Sequence, residues 1–238
     1  MSEKLYLKDS YLREASAKIT KVNGNEITVD TDIFYPSGGG QPADYGKVVY
    51  KEEEYSVTDI KKEGEDIVLI LERAIGASEG DSIKEIIDWE KRYAHMKLHT
   101  AIHIIDGVLE RDYKASLITG NQIYDDRARI DISMDGLTKE LASAIIEKAN
   151  SVIEEGHEIN VKFLTKEEAI DKNLVRTLPG KELMDKLDII RVIEIAGLDE
   201  QMDGGTHVKN TKEVGHISLE SFENKGRQNK RLYIRLKN

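Results

Sequence analysis

Cysteine is absent from this chain, proline occurs only three times, and no apolar run approaches the length of a membrane-spanning helix. Without cysteine there are no disulfides and no thiolate chemistry, which fits a reducing compartment, so we expect a cytoplasmic protein. A helix that crosses a bilayer needs about 20 predominantly apolar residues, and no membrane contact is therefore predicted. The first residues, Met1-Ser2-Glu3-Lys4, lack the apolar core of a secretory signal.

Charge, by contrast, is plentiful. Charged residues make up 34% of the 238 residues, hydrophobic residues 39%, and the net charge is −10. This composition is typical of a globular protein that can bury a sizeable core in one or two domains. An acidic chain is poorly suited to broad, non-specific nucleic-acid binding, although a local basic patch could still read one RNA.

The first 88 residues have the pattern of a β domain. Residues 17–22 and 26–30 alternate apolar and polar side chains around Asn23-Gly24-Asn25, which indicates a hairpin. Further short strands are predicted at residues 46–50, 55–61 and 67–71. Several short strands at regular spacing favour a small barrel or sandwich, and we take the barrel as our prediction.

One glycine-rich segment, residues 34–46, interrupts these strands. Gly38, Gly39 and Gly40 follow an aromatic pair and a proline, and Gln41 and Asp44 come after them. Three successive glycines break regular structure and allow close approach of another backbone or a ligand. A plain loop between strands is the usual meaning of such a run, but the flanking residues favour a functional loop.

The pattern changes near residue 88 to that of an α+β domain covering residues 89–238. A helix is predicted for residues 89–109, capped by Asp88, and an amphipathic helix for 138–155, closed by Gly156. A short helix is expected after the Thr165–Glu168 capping box. Strands are predicted at 117–123, 128–132, 158–164, 189–196, 215–222 and 230–236. We expect one sheet packed against two main helices, with the strand at 189–196 leading directly into the turn at residue 203.

Metal-ligand side chains occur at matching spacing in two places. His99 and His103 lie four residues apart in the predicted helix, so their imidazoles project from one face. Asp203 and His207 repeat that spacing in a Gly-Gly turn. Three imidazoles and one carboxylate form a ligand set that suits zinc.

Paired histidines on a helix are more often structural than ligands, and only the second pair favours the metal interpretation. His95 extends the row, but a spacing of four drifts around a helix of about 3.6 residues per turn, so we interpret it as a neighbour of the site. Zinc in such a place would support hydrolysis. No glutamate stands beside His99 as in metalloproteases, and the nearby threonines are poor bases, so the catalytic base stays unknown.

Longer motifs around these residues resemble the editing domain of alanyl-tRNA synthetase and its free-standing relatives, the AlaX proteins. The motifs are His-Thr-Ala-Ile-His at 99–103, Asp-Gly-Gly-Thr-His-Val-Lys-Asn-Thr-Lys-Glu-Val-Gly at 203–215, the glycine-rich segment, and Lys-Gly-Arg-Gln-Asn-Lys-Arg at 225–231. The similarity spans most of the chain, with the motifs in the same order. With its glycine-rich domain and no long C-terminal extension, the chain is similar to the medium-length AlaX type.

The resemblance implies hydrolysis, in trans, of the ester in alanine tRNA mischarged with serine or glycine. It implies one zinc ion held by His99, His103, Asp203 and His207. It also implies that the glycine-rich loop reaches toward the site and that a residue on the strand after the first helix recognises a serine hydroxyl. The resulting candidates for substrate binding are Gly38, Gly39, Gly40, Gln41, Thr119 and Gln122.

The basic segment gives candidates for tRNA binding, namely Lys225, Arg227, Lys230 and Arg231. Clustered cations near a chain end are usually solvated surface, but a loop between two strands can present them to phosphates. The RNA interpretation comes mostly from the resemblance. Two other functions remain open: an RNA-binding translation module with a structural metal, and a metal-dependent hydrolase of a small ester or amide.

One ligand departs from the family pattern, because Asp203 stands where the family usually has cysteine. A carboxylate is a harder ligand than a thiolate. We therefore expect weaker zinc affinity, a shift toward another divalent ion, or a site held by three histidines and water. Loss of metal and activity is the remaining alternative, which the retained histidines disfavour. The sequence leaves the oligomeric state open.

Overall fold

The computed structural model describes residues 2–114, 117–172, 174–175 and 182–237. The chain divides into two compact units, Met1–Ala94 and His95–Asn238. Strands dominate the first unit, and the second mixes strands with helices, so the predicted α+β class with an N-terminal barrel is confirmed. None of the helices in the described part of the chain has both the length and the apolar character needed to span a membrane.

The first unit is a closed barrel of six strands. The unit has eight strands, six of which form the barrel: β1 Glu3–Lys4, β2 Glu14–Asn23, β3 Glu26–Val29, β4 Thr31–Asp32, β5 Gly46–Tyr50, β6 Glu53–Glu63, β7 Asp66–Leu71 and β8 Ser82–Ile87. The barrel order is β2-β3-β7-β6-β5-β8, while β1 and β4 form a separate parallel pair. Closure leaves the barrel without an unpaired edge, and alternate residues such as Ile19, Ile27 and Leu69 fill its interior.

The hairpin between β2 and β3 forms as predicted, and Gly24 takes the left-handed φ of 62° that its tight turn requires. Strand β8, which closes the barrel by pairing with both β2 and β5, was not predicted. The reason is Glu85, a fully buried carboxylate that sits at an inward position where alternation calls for an apolar side chain.

The glycine-rich segment connects β4 to β5 and is folded back on itself. Gly38 and Gln41 exchange two backbone hydrogen bonds, of 3.0 and 2.9 Å, across a turn made by Gly39 and Gly40. Both turn glycines have left-handed φ, 56° and 87°. The Tyr35 hydroxyl donates to the Gly38 carbonyl oxygen at 2.8 Å, so the turn is an ordered structure rather than a slack linker.

Helix α1 covers Trp89–Tyr113, extending beyond the predicted end at residue 109, and the Asp88 carboxylate accepts a hydrogen bond from the Lys91 backbone at 3.3 Å. Residues from His95 onward belong to the second unit. Gly107 lies in that part of the helix because Leu198 packs against it. A methyl group added there would lie 2.6 Å from Leu198 Cγ.

The strands of the second unit form two sheets, where the sequence predicted one. They are β9 Leu117–Ile123, β10 Arg127–Ser133, β11 Ile159–Thr165, β12 Ile189–Ile195, β13 Asp199–Met202, β14 His216–Asn224 and β15 Asn229–Lys237. One sheet has the order β14-β15-β10-β9 and the other β11-β12-β13. The amphipathic helix α2, Lys139–Glu155, is linked to β14 by Asn150, whose side chain bonds both backbone groups of Ile217. The capping box of Thr165 opens helix α3, Lys166–Asp171, as predicted.

A second sequence prediction in this unit is also wrong. The strand at 189–196 was expected to lead directly into the turn at residue 203, but the chain reverses at Gly197, which has a φ of 75°, and returns as β13. The polar run Asp199-Glu200-Gln201 concealed this strand because it has no apolar alternation. The β12–β13 hairpin places Asp199 and Gln201 beside His103.

Candidate metal centre

Helix α1 presents His99 and His103 one turn apart on the same face, as their spacing predicts. Their ring centroids are 5.3 Å apart, and both side chains are buried. His95, one turn earlier, bonds Asp125 at 3.1 Å through Nε2 and is not a member of the ligand cluster, in agreement with its interpretation as a neighbour. The helix thus contributes two candidate ligands rather than three.

The second pair of ligands lies in the turn after β13. The backbone N–H of Gly205 donates to Asp203 Oδ1 at 2.6 Å, and Arg191 Nη1 donates to the Asp203 carbonyl oxygen at 2.7 Å. The Thr100 hydroxyl lies 3.2 Å from His207 Nδ1 and accepts from the Val208 backbone at 3.3 Å. The turn is therefore held by hydrogen bonds from β12, from α1 and within itself.

The four predicted ligands converge. One donor atom from each of His99, His103, Asp203 and His207 lies within 4.8 Å of all the others. The Asp203 carboxylate oxygens lie 3.1 Å from His207 Nε2, 3.6 Å from His99 Nε2 and 3.9 Å from His103 Nε2. Ligands at about 2.0–2.2 Å from a tetrahedral ion are roughly 3.3–3.6 Å apart. The spacing and the donor types both fit one divalent cation.

A hydrogen-bond network outside the ligands orients His103. Its Nδ1 lies 3.0 Å from Asp199 Oδ2, and Gln201 Nε2 lies 3.0 Å from the same nitrogen and donates to the same carboxylate oxygen at 2.8 Å. Asp199 is buried. A carboxylate on one imidazole nitrogen fixes the proton there and leaves the other nitrogen free to bind metal. Asp199 therefore assigns Nε2 of His103 as the ligand atom.

Electrostatics keep most of the cluster in the form that binds metal. Burial lowers the pKa of His99 to about 4 and that of His207 well below its ordinary value, so both imidazoles are neutral at pH 7. Burial alone would raise the pKa of Asp203, but the surrounding histidines, His99 foremost, lower it well below its ordinary value. Burial opposes the charged form of His103 as well, yet Asp199 outweighs it and raises that pKa.

The substrate-binding candidates lie on two elements. Thr119 and Gln122 are on β9, where the Thr119 hydroxyl donates to the Asp131 carbonyl oxygen at 3.2 Å and Gln122 Nε2 donates to the Ile123 carbonyl oxygen at 3.3 Å. The glycine candidates form the turn of the first unit, and Gln41 at its end is buried. A role of these residues in substrate binding stays a prediction.

The basic segment forms the turn between β14 and β15, and its cations differ in setting. Arg227 has 85% of its side chain exposed and reaches Asp135 at 3.4 Å, while Lys225 pairs with Glu223 at 2.6 Å. Arg231 forms a two-point pair with Asp131 at 2.7 and 3.0 Å.

Lys230 is different, because it is buried. Its ammonium donates to Asn224 Oδ1 at 2.9 Å, to the Arg227 carbonyl oxygen at 3.0 Å and to the Gly226 carbonyl oxygen. Charge in the sequence cannot distinguish this lysine, which holds its own turn together, from its exposed neighbours.

Sequence reasoning missed the groups that support the ligands, namely Asp199, Gln201 and Arg191. Each lies on the β12–β13 hairpin, whose second strand was not predicted. The glycine after β12, Gly197, was the available signal for that hairpin.

Comparison with known proteins shows that this chain is similar to alanyl-tRNA editing proteins and to alanine–tRNA ligases. Residues 190–233 match the family model of the threonyl and alanyl tRNA synthetase second additional domain, and residues 6–91 match that of class II (A) tRNA synthetases. The chain is 38% identical to alanyl-tRNA editing protein AlaX-M of Methanosarcina acetivorans, over 99% of both chains. It is 38% identical to AlaX-M of Saccharolobus solfataricus over the full length of both. An alanine–tRNA ligase of Pyrococcus furiosus is 36% identical over 90% of this chain and 24% of the ligase.

Proposed function

We propose that this chain, which belongs to the AlaX-M family of alanyl-tRNA editing proteins, hydrolyses the ester that joins a wrong amino acid to the 3′ end of alanine tRNA. Full-length similarity to editing proteins supports deacylation of mischarged tRNA in trans. The observation that carries the proposal is the convergence of His99, His103, Asp203 and His207 on a volume sized for one ion. We further propose serine, and glycine as a second case, as the wrong amino acids.

The ligand cluster would hold a divalent ion, with zinc the first choice, through Nε2 of His103 and His207, a nitrogen of His99 and the Asp203 carboxylate. Zinc bound in this way supplies a Lewis acid for the ester carbonyl or for a water molecule. The carboxylate of Asp203 replaces the thiolate that the family resemblance implies, so the ligand set is harder and accepts cobalt or manganese more readily. Affinity for zinc is correspondingly lower.

The residues of the chain itself prepare the site. Asp199 keeps the proton of His103 on Nδ1, and the buried position of the histidines keeps His99 and His207 neutral, so no proton has to leave them before metal binds. Burial of the cluster excludes bulk water, which strengthens every electrostatic interaction within it.

Substrate contacts come from the remaining candidates. Thr119 and Gln122 carry the hydroxyl and amide groups that can hydrogen-bond a serine side chain, and the turn of Gly38, Gly39, Gly40 and Gln41 contacts the 3′ end of the tRNA. Lys225, Arg227 and Arg231 are the cations for tRNA phosphates. We assign Lys230 a structural part within their turn because its ammonium is bonded to turn carbonyls.

The test is deacylation of alanine tRNA charged with serine, glycine or alanine, with and without a chelator. We expect serine to be released, alanine to be retained, and the chelator to suppress the reaction until zinc or cobalt is restored. His103→Ala should abolish release while leaving circular dichroism and tRNA binding intact, and His157→Ala, a histidine outside the cluster, serves as the matched control.

Other outcomes would support the alternatives. If His103→Ala abolishes folding and the wild type binds tRNA without deacylating it, the protein is an RNA-binding module with a structural metal. If the wild type cleaves small esters but neither binds nor deacylates tRNA, it is a small-molecule hydrolase. A wild-type protein that holds no divalent ion even after zinc supplementation contradicts the metal-dependent mechanism.

A further inference from the structure

A lysine beside the glycine turn has no counter-charge among the described residues. Lys62 lies on β6, and its Nζ would be 3.4 Å from a methyl group added at Gly38, as close as the Tyr35 hydroxyl at 3.3 Å. Within the described residues Lys62 forms no ion pair and no hydrogen bond. The charged group that acts on it is Lys4, a second cation.

The neighbours of Lys62 show how unusual this is. Lys61, the preceding residue on the same strand, pairs with Glu26 at 3.6 Å, and Lys4 pairs with Glu65 at 3.2 Å. The chain carries 45 acidic residues and 35 basic ones, so carboxylates are abundant. Partial burial, and then repulsion from Lys4, lower the pKa of Lys62.

The adjacent turn supplies neutral hydrogen-bond donors. Gly38 and Gln41 satisfy each other's backbone groups, whereas the N–H groups of Gly39 and Gly40 form no hydrogen bond with the described residues. Both glycines have left-handed φ, and successive N–H groups in such conformations form concavities that bind anions. The turn is held in place by the hydrogen bond from Tyr35 to Gly38, so little ordering is required on binding.

We propose that Lys62 and the Gly38–Gln41 turn form an anion site that binds a backbone phosphate of tRNA. The inference rests on the proposed function, because an editing protein must hold the negatively charged strand that carries the ester. A phosphodiester fits the site: it has one negative charge for the ammonium and two free oxygens for backbone N–H groups. Lys62 is then a binding residue, separate from the ligand cluster and from the basic turn between β14 and β15.

The experiment is tRNA binding by the full chain across a salt series, for wild type, Lys62→Met, Lys62→Arg and Lys61→Met. Each phosphate neutralised contributes roughly 0.7–0.9 to the slope of log affinity against log salt. We expect Lys62→Met to weaken binding about three- to tenfold at low salt and to reduce the slope by about one such contribution. Lys62→Arg should retain most of the affinity. Lys61→Met should behave as wild type, because its ammonium is paired with Glu26.

The possible results separate this inference from the function on which it rests. If the wild type deacylates and binds tRNA, but Lys62→Met has the same slope of log affinity against log salt as the wild type, only the anion site is overturned. Equal losses for Lys61→Met and Lys62→Met also overturn it, because they indicate general charge. A wild type that neither binds nor deacylates tRNA overturns both. A third result would also overturn the tRNA contact: Lys62→Met loses binding of inorganic phosphate but keeps wild-type affinity for tRNA. The site would then bind free phosphate instead.

Discussion

Arg92 and Asp44 form a fully buried ion pair in the first unit, in which Arg92 Nε donates to Asp44 Oδ1 at 2.7 Å and Nη2 donates to Oδ2. The same guanidinium donates to the Ile33 carbonyl oxygen at 2.7 Å, and the Asp44 carboxylate also accepts from the Tyr35 backbone at 2.5 Å. Because Ile33 and Asp44 flank the glycine turn, this one pair fixes both ends of the glycine-rich segment.

Replacing Arg92 with Met should destabilise the first unit strongly, because it leaves the Asp44 carboxylate buried without its cation. Removing one partner of a buried pair typically costs about 3–5 kcal/mol. The measurement is urea unfolding followed by fluorescence of Trp89, the single tryptophan of the chain and a residue of this unit.

The matched control is Arg73→Met, which breaks an exposed pair with Glu53 at 3.3 Å and should change stability far less, because solvent screens exposed pairs. The double variant Arg92→Met/Asp44→Asn should recover part of the loss, because the uncompensated charge is gone. Equal destabilisation by Arg92→Met and Arg73→Met would refute the claim that the buried pair holds the segment.

The first unit also contains two neighbouring buried acids, Asp32 and Glu85, that should make stability depend on pH. Burial raises the pKa of Asp32 from 3.8 to about 7, although a hydrogen bond from the Phe34 backbone opposes the shift, and burial raises that of Glu85 well above its ordinary value. Between pH 4 and 7 the folded state therefore keeps a proton on Asp32 that the unfolded state has lost. The free energy of unfolding should fall as pH rises through this window, by at most about 1.4 kcal/mol per pH unit for one group.

Asp32→Asn tests this directly, because the amide stays neutral and its oxygen can still accept from Phe34. We expect the variant to be more stable than wild type at pH 8 and to show a weaker decline between pH 4 and 7, with the remainder coming from Glu85. Glu63→Gln, at an exposed position of the same barrel, should keep the wild-type profile. Parallel profiles for wild type and Asp32→Asn would contradict the assignment.

How far the sequence could predict this molecule depends on the range of each interaction. Three features were predicted: the hairpin at Gly24, the capping box at Thr165 and the histidine pair His99–His103. Each of them depends on residues that are only a few positions apart in the sequence. Glu85 and Asp199 were not predicted, because a buried carboxylate contradicts the local pattern and its stabilising or functional partner lies far away in sequence.

The same limit applies to charge. Lys62 and Lys230 are both lysines in polar surroundings, yet one lacks a counter-charge and the other bonds three oxygen atoms of a turn. Only the fold determines which of the described residues, if any, lie within reach of each ammonium. Motifs therefore predicted the four side chains that converge in the candidate site, whereas the groups that orient these side chains needed the structure.

Asp199 should control metal affinity without binding the ion. Asp199→Ala removes the carboxylate that lies 3.0 Å from His103 Nδ1, so the imidazole loses its fixed tautomer and orientation. Such outer-shell changes typically weaken metal binding about 10- to 100-fold. The measurement is zinc competition against a chromogenic chelator.

Glu200→Ala is the control for this change, since Glu200 is on the same strand but pairs with Lys162 at 3.1 Å. It should retain wild-type zinc affinity. The proposed part of Asp199 is wrong if both alanine variants bind zinc equally well, or if Asp199→Ala loses its metal only together with its fold.

The cations of the β14–β15 turn should separate into two kinds. Arg227→Met should weaken tRNA binding and leave the melting temperature unchanged, because 85% of its side chain is exposed. Lys230→Met should lower the melting temperature, since it leaves the turn oxygens of Asn224 and Arg227 without their donor. Salt-dependent binding and thermal unfolding of both variants check this. A loss of affinity for Lys230→Met at full stability would reverse the assignment.

Gly107 should be required for packing, although an alanine is the better helix former by about 1 kcal/mol. A methyl group at this position would approach Leu198 Cγ to 2.6 Å, so the Leu198 side chain or the β12–β13 turn that carries it would have to shift, and Leu198 directly precedes Asp199. Overpacking of this kind typically costs about 1–3 kcal/mol. We expect Gly107→Ala to lower both stability and zinc affinity.

Adding Leu198→Ala to Gly107→Ala should relieve the clash and restore part of both properties, which a double-variant cycle measures as a favourable coupling. Leu198→Ala alone removes packing without moving the turn outward, so it should reduce stability more than zinc affinity. If Gly107→Ala is neutral or stabilising, the helix and the hairpin are not in the tight contact that we describe. In that case a displacement of Asp199 does not explain any effect of Gly107→Ala on zinc affinity.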